Sequence, residues 1–382
     1  MTCLAKKSLL VVAIAAAAGC QPDNEPNTSA PEAATDTAAV MASPSSVAAS
    51  SSVTSPEAAK EAPSSVIDLS HWKITLPLDE DGDGKVDGFS PAQLQGFVHP
   101  EFFYAQDGLV TFAAPNRATT TPNSSNTRSE LHQVVNPSLS KSKAPGNNFA
   151  LASNPKASEF GSIGGTLSAH LKVNHVAVEA KLPQKPPAYS VVVGQIHAGK
   201  DSALMEQGEG YGGGNEPLKI YYKKWPKHDT GSVFWTYERN LAKEDPNRTD
   251  IAYPVWGNTW ENDANPMEEG IALGEDFSYK VDVQENIMHL TFSAEGRDTV
   301  EYKIDLSNNV DANGKVDEKD HPNGYTGDWF FFKAGAYNQC SVKEAKGMWY
   351  AGCAGSGDWE QDKKDGHYAS VSFYDIQLDS NE

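Results

Sequence analysis

Three segments of the chain gather side chains suited to moving a proton beside an acid group. In Asn126-Thr127-Arg128-Ser129-Glu130-Leu131-His132, a two-residue period puts Arg128, Glu130 and His132 on one face and turns Ser129 and Leu131 to the other. In Val191–His197, Gln195 and His197 share a face while Ile196 points the opposite way. In Trp329–Gln339, Phe330, Phe332, Ala334 and Ala336 make an apolar face; Lys333, Tyr337 and Gln339 occupy the other, with Gly335 leaving space between them. A proton next to an ionised carboxylate is only weakly acidic. Its removal needs Arg, Gln, Asn or His donors to stabilise an enolate-like intermediate, and His and Tyr are suitable proton carriers. Each segment alone has a plainer explanation as an ion pair, a surface histidine or a packed tyrosine. Together they supply the parts of an elimination at a uronic acid.

The elements that must hold these residues are strands. Alternation or β-branched and aromatic runs mark Trp72–Leu76, Leu109–Ala113, Ser129–Val135, Thr166–Val173, Val176–Lys181, Ser190–His197, Leu218–Tyr222, Gly231–Tyr237, Phe277–Val283, Met288–Ser293, Phe330–Ala336 and Tyr368–Leu378. Short helices are predicted only at 201–207 or 264–274. Many short strands without βα alternation predict an all-β jelly-roll sandwich of two antiparallel sheets with a concave cleft. Two polar or glycine-rich links, Gln207–Asn215 and Asn240–Pro266, are long enough to act as lids. The glycines at 208–214 lack the spacing and the strand-to-helix setting of a nucleotide-binding turn.

Before this domain, Lys6 and Lys7 precede an apolar run from Leu9 to Ala18 that is too short for a permanent span and reads as a signal peptide over residues 1–20. Ala17-Ala18-Gly19-Cys20 resembles a bacterial lipobox, which makes Cys20 the expected acylation site; Gln21 after it leans toward the outer membrane. Residues 21–65, rich in Ala, Ser, Thr and Pro, read as a disordered tether, and 66–382 as one catalytic domain. Membrane attachment is then through lipid alone. A formal charge of −20 argues against nucleic acid or anionic lipid as partner. It also requires any site for a polyanion to be locally basic. Cys340 and Cys353 are the two cysteines left beyond the signal and lipobox, and in an exported chain they are expected to pair.

Arg128-Ser-Glu-Leu-His132, Gln195-Ile-His197 and Phe332-Lys-Ala-Gly-Ala-Tyr-Asn-Gln339 resemble, in order, the three signature blocks of alginate lyases of polysaccharide lyase family 7. Asp68–Pro77 resembles the opening strand of that family and Ser370–Tyr374 its closing one. The resemblance implies that Arg128 and Gln195 bind the carboxylate at the cleavage site. His197 would neutralise it or take the C5 proton, and Tyr337 would be the acid, or both acid and base for one of the two epimeric sugars. It places Glu130, His132, Lys333 and Gln339 among substrate contacts. Many members have Arg where this chain has His132, a departure that bears on one sugar contact. The Leu218–Lys224 strand puts Lys219, Tyr221 and Lys223 on one face, where they would line the cleft for alginate and supply its positive charge. Gln-Ile-His, as opposed to Gln-Val-His, accompanies action on guluronate-containing blocks in the family.

No cofactor is expected for the chemistry. A structural calcium ion is suggested by Asp79, Asp81, Asp83 and Asp87 at positions 1, 3, 5 and 9 of an EF-hand-like loop, although Ser90 stands where a bidentate Glu belongs. Asn309, Asp311, Asn313, Asp317 and Asp320 form a looser second match. A retaining glycoside hydrolase would need two carboxylates close together on a strand; Glu360, Asp362 and Asp365 sit in a polar stretch without alternation. A carbohydrate-binding module would need aromatic platforms but no proton carriers.

Overall fold

The structure, a computed structural model, describes residues 59–379 apart from Ser140, Ala144, Gly212 and Gly213. The expected signal peptide, Cys20 and residues 21–58 of the expected tether lie outside the described residues. The folded unit begins before residue 66: Glu61 and Ala105 exchange backbone hydrogen bonds of 2.8 Å, Lys60 donates to the Pro100 carbonyl, and Pro63 is buried. Backbone pairing to a sheet edge orders this stretch in spite of its tether-like composition.

Two sheets face each other across one apolar core, as expected of a jelly-roll sandwich. One runs in the spatial order Asp250–Trp256, Ser232–Glu238, Leu218–Lys223, Ser190–Lys200, Asp328–Asn338, Arg128–Gln133, Trp72–Thr75, Gly88–Phe89. The other runs Val300–Asp305, Ile287–Ser293, Asp276–Gln284, Gly165–His175, Tyr368–Asp379, Leu109–Pro115, Phe103–Gln106. Trp72, Ile74, Leu131, Ile196, Trp235 and Phe332 of the first sheet join Leu167, Leu171, Val281, Phe292, Val371 and Phe373 of the second in that core. Alternation then leaves the partners of the first set on the outer face of the first sheet.

Four strands of the two sheet orders escape the sequence pattern, namely Gly88–Phe89, Phe103–Gln106, Asp250–Trp256 and Val300–Asp305, and each is an edge. Edges carry more polar residues and tolerate proline; Pro254 sits inside Asp250–Trp256 and makes the Asn240–Pro266 segment read as a loop. The expected strand at 176–181 is reduced to a single bridge between Ala180 and Cys353. A helix forms at Ser202–Glu206, whereas 264–274 contains only a 3-10 turn at Met267–Glu269.

Register is adjusted at two places that aim the functional side chains. In Ser190–Lys200, Val193 joins the core and a Cβ on Gly194 would meet the Tyr279 hydroxyl at 2.5 Å, so two consecutive residues turn inward. That bulge against Leu218–Lys223 lets Val192, Gln195 and His197 all emerge on the outer face. Opposite it, Gly335 has φ +140°, and a Cβ there would meet the Ser129 carbonyl at 2.5 Å.

Candidate active site

Strand pairing assembles the three sequence blocks side by side. His132, Lys333, Gln195 and Lys219 form one row across four strands, and Lys73 extends it on the opening strand. Tyr337 pairs directly with Arg128, and His197 with Phe331.

Glu130 is the hub. Its Oε2 accepts from Arg128 Nη1 at 3.1 Å and from Lys333 Nζ, and its Oε1 accepts from Gln195 Nε2. With 2% exposure and both oxygens engaged, Glu130 holds the other three side chains in place. A carboxylate can only accept, so the Gln195 amide must present its NH2 to Glu130. The Arg128 guanidinium lies 3.9 Å over the Tyr337 ring, and its Nη2 donates to Ser124 Oγ at 3.1 Å. Two of its five N–H bonds are thereby engaged and three remain. Ser124 Oγ is also 3.2 Å from Tyr337 Oη. Burial pushes Lys333 down to about 8, against the opposing pull of Glu130.

His197 Nδ1 lies 2.8 Å from the Ala198 carbonyl, which can only accept. Nδ1 therefore carries the hydrogen, and Nε2 holds a lone pair when the ring is neutral. Packing lowers the His197 pKa below its usual value, outweighing Glu216, which raises it from 3.6 Å away. Burial of Glu216 favours its neutral form, but Lys219 and His197 overcome this and hold it at about 2. The site thus gathers a clamp of Arg128 and Gln195 donors, an imidazole with a lone pair on Nε2 and a phenol.

Several of the expected contacts are engaged by neighbouring protein groups. Lys219 does not lend free charge, because Glu216 lies 3.2 Å and Asp250 2.9 Å from its Nζ. Lys223 donates to the carbonyls of Pro186 and Ala188 and stands over Trp225, away from the clamp. Tyr221 is 1% exposed and packs against Phe234 and Trp260 as part of the floor. His132 stacks on Phe331 at 3.8 Å and is held neutral, first by burial and then by Lys73 and Lys333. Gln339 turns back on the Tyr337 carbonyl at 3.3 Å. Residues that sequence reasoning passed over are Ser124, Glu216, Trp349 and Lys73; for Lys73 the signal was present in the alternation of Trp72 and Ile74 into the core. Lys73 has no carboxylate at ion-pair distance among the described residues.

Cys340 and Cys353 are joined, closing a loop that lays Trp349 against Trp260 at 5.5 Å, on the apolar cluster that Tyr337 also packs against. Asp79, Asp81 and Asp83 place one oxygen each within 4.8 Å of one another. Asp87 stays outside that group and accepts from the Glu80 amide, while Ser90 and Gln93 form a capping box on the Pro91–Leu94 helix. The second acidic loop is structural: Asp317 binds Arg239, and Asp320 binds Tyr237 and the Asn240 amide. Glu360, Asp362 and Asp365 lie on a short helix at Trp359–Asp365, not on a strand.

The family model described as alginate lyase matches residues 67–380. An alginate lyase of Klebsiella pneumoniae is 34% identical over 295 residues, covering 74% of this chain and 86% of that protein. The crystal structure of an alginate lyase from Klebsiella pneumoniae superposes with a TM-score of 0.64 at 28% identity, over 84% of this chain and 99% of that one. The exolytic PL7 alginate lyase from Zobellia galactanivorans gives 0.66 at 32% identity, over 85% and 99%. With the signature blocks assembled on one sheet of a jelly roll and this similarity along the whole domain, the chain belongs to the alginate lyases of polysaccharide lyase family 7.

Proposed function

We propose that the protein depolymerises alginate by β-elimination, leaving 4,5-unsaturated uronate ends, and that it favours guluronate-containing blocks. The observation that carries this is the juxtaposition of Arg128, Gln195, His197 and Tyr337 around the buried Glu130 hub. Arg128 and Gln195 bind the uronate carboxylate and spread the charge that develops on it as C5 loses its proton. His197 takes that proton on Nε2, and Tyr337 gives its own to the departing glycosidic oxygen. For the epimer that presents C5–H from the other side, Tyr337 serves as base as well. Lys333 and Lys73 extend the cationic lining for neighbouring uronates. Every proton carrier is a side chain, so the scheme uses no cofactor.

The test is ultraviolet absorbance of the unsaturated uronate during incubation with alginate, beside a Tyr337→Phe variant. Wild-type protein should generate it and the variant should lose at least about a hundredfold in kcat; no product from mannuronate-rich, guluronate-rich or mixed polymer would overturn the assignment. Faster turnover of mannuronate-rich than guluronate-rich polymer would remove the block preference.

Two further parts of the reading concern anchorage and calcium. The Cys20 lipobox supports an outer-membrane lipoprotein, and Cys20→Ser should release the protein from the membrane fraction. The convergence of Asp79, Asp81 and Asp83 supports a structural calcium ion. Millimolar calcium that leaves Tm unchanged would dismiss it.

A further inference from the structure

We propose that Ser124 is a positioning residue for Tyr337: its hydroxyl donates to Tyr337 Oη, leaves the phenol's own hydrogen directed at the substrate, and steadies the phenolate formed when that hydrogen is given up. This role rests on the elimination proposed above and deepens it.

Four groups lie within hydrogen-bonding distance of Ser124 Oγ. The Asn126 backbone N–H donates to it at 3.1 Å and Arg128 Nη2 at 3.1 Å, while the Asn126 carbonyl and Tyr337 Oη each lie 3.2 Å away. A serine hydroxyl has two lone pairs and one hydrogen. The amide and the guanidinium can only donate, and between them they fill both lone pairs. Ser124 therefore has no lone pair left to accept the Tyr337 hydrogen. Its one hydrogen has two possible acceptors, the Asn126 carbonyl and Tyr337 Oη, and a developing phenolate outcompetes a neutral carbonyl for it. Donation from the Arg128 cation polarises the Ser124 hydroxyl and makes it the better donor.

The loop is built to hold this geometry. Ser124 N donates to the Thr121 carbonyl at 2.9 Å, and Thr120 Oγ1 to the Ser124 carbonyl at 3.0 Å, so the residue is fixed from both sides. During the reaction the C5–H electron pair becomes the C4=C5 double bond, and the C4–O pair leaves on the glycosidic oxygen. That oxygen takes the Tyr337 proton, His197 carries the C5 proton to solvent, and Tyr337 is reprotonated from solvent. The phenolate exists only from the transfer of its proton to the glycosidic oxygen until its reprotonation. A donor to it lowers the barrier without adding to ground-state binding, so its removal belongs in kcat and not in KM.

The experiment compares steady-state kinetics on alginate and Tm for wild type, Ser124→Ala, Ser124→Thr, and Ser124→Ala combined with Tyr337→Phe. Ser124→Ala should lower kcat roughly tenfold to a hundredfold, the range for a hydrogen bond to a charged group, with KM within about threefold. Ser124→Thr, which keeps the hydroxyl, should recover most of kcat, and Ser124→Ala should cost nothing further once Tyr337 is Phe. A kcat unchanged in Ser124→Ala, a rise in KM with kcat retained, or an equal loss in Ser124→Thr at unchanged Tm would each overturn the role. No unsaturated product from wild type would overturn the elimination and this role with it, whereas an active parent with an indifferent Ser124→Ala overturns the role alone.

Discussion

His197 shows how one ring is prepared for its task by neighbours of opposite effect. The Ala198 carbonyl fixes its tautomer, packing lowers its pKa, and Glu216 pulls it partway back. A base whose pKa lies below 6.5 is already neutral at pH 7, so the acid limb of the kcat/KM profile should fall below pH 6.5. Glu216→Gln removes the nearby anion that favours imidazolium. The limb should then move to still lower pH, with Lys219 retained by Asp250. A limb that stays in place or moves up would show that Glu216 does not act on His197. The identity of His197 as a candidate was legible in the Gln-x-His spacing. Its partner was not, because Glu216 precedes the next strand and meets the ring only through pairing of Leu218–Lys223 with Ser190–Lys200.

At the scale of elements, the loop closed by Cys340 and Cys353 follows directly on the strand that carries Tyr337. It brings Trp349 onto an aromatic group of Tyr221, Phe234 and Trp260, with Lys219 Nζ 5.6 Å from the Trp349 ring. Replacing both cysteines by serine should cost about 2–4 kcal/mol of stability for a loop of this size. It should also raise KM more than it lowers kcat, because Trp349 packs on the same cluster as Tyr337 but carries no proton to transfer. Thermal melts and steady-state kinetics on alginate check the two halves separately, and an unchanged KM would place the loop outside substrate binding.

For the whole molecule, a formal charge of −20 opposes the approach of any polyanion. The cations nearest the clamp offer limited relief, since Arg128 and Lys333 share Glu130, and Lys219 is held by Glu216 and Asp250. Long-range repulsion should therefore dominate encounter with alginate. Raising ionic strength from about 0.01 M to about 0.15 M contracts the screening length from about 30 Å to about 8 Å, so KM should fall over that range. A KM that rises with salt instead would mean that local attraction by Lys73 and Lys333 outweighs the global field.

By itself the sequence determined the strand content of the core, the face on which Arg128, Gln195, His197 and Tyr337 would stand, and the pairing of the two remaining cysteines. These follow from a period of two along each strand and from short-range spacing, both local properties. Tertiary structure alone decided which of those side chains remain available. Glu130 meets Gln195 across 65 residues of chain and Lys333 across 203, and such contacts are set by strand order and by the bulge at Val193–Gly194. Lys219 and Lys223 looked alike in sequence, as two cations on one strand face. One is neutralised by Glu216 and Asp250 and the other is held by backbone carbonyls, because a lone buried charge is too costly to leave unpaired and its partners come from whatever the fold places beside it.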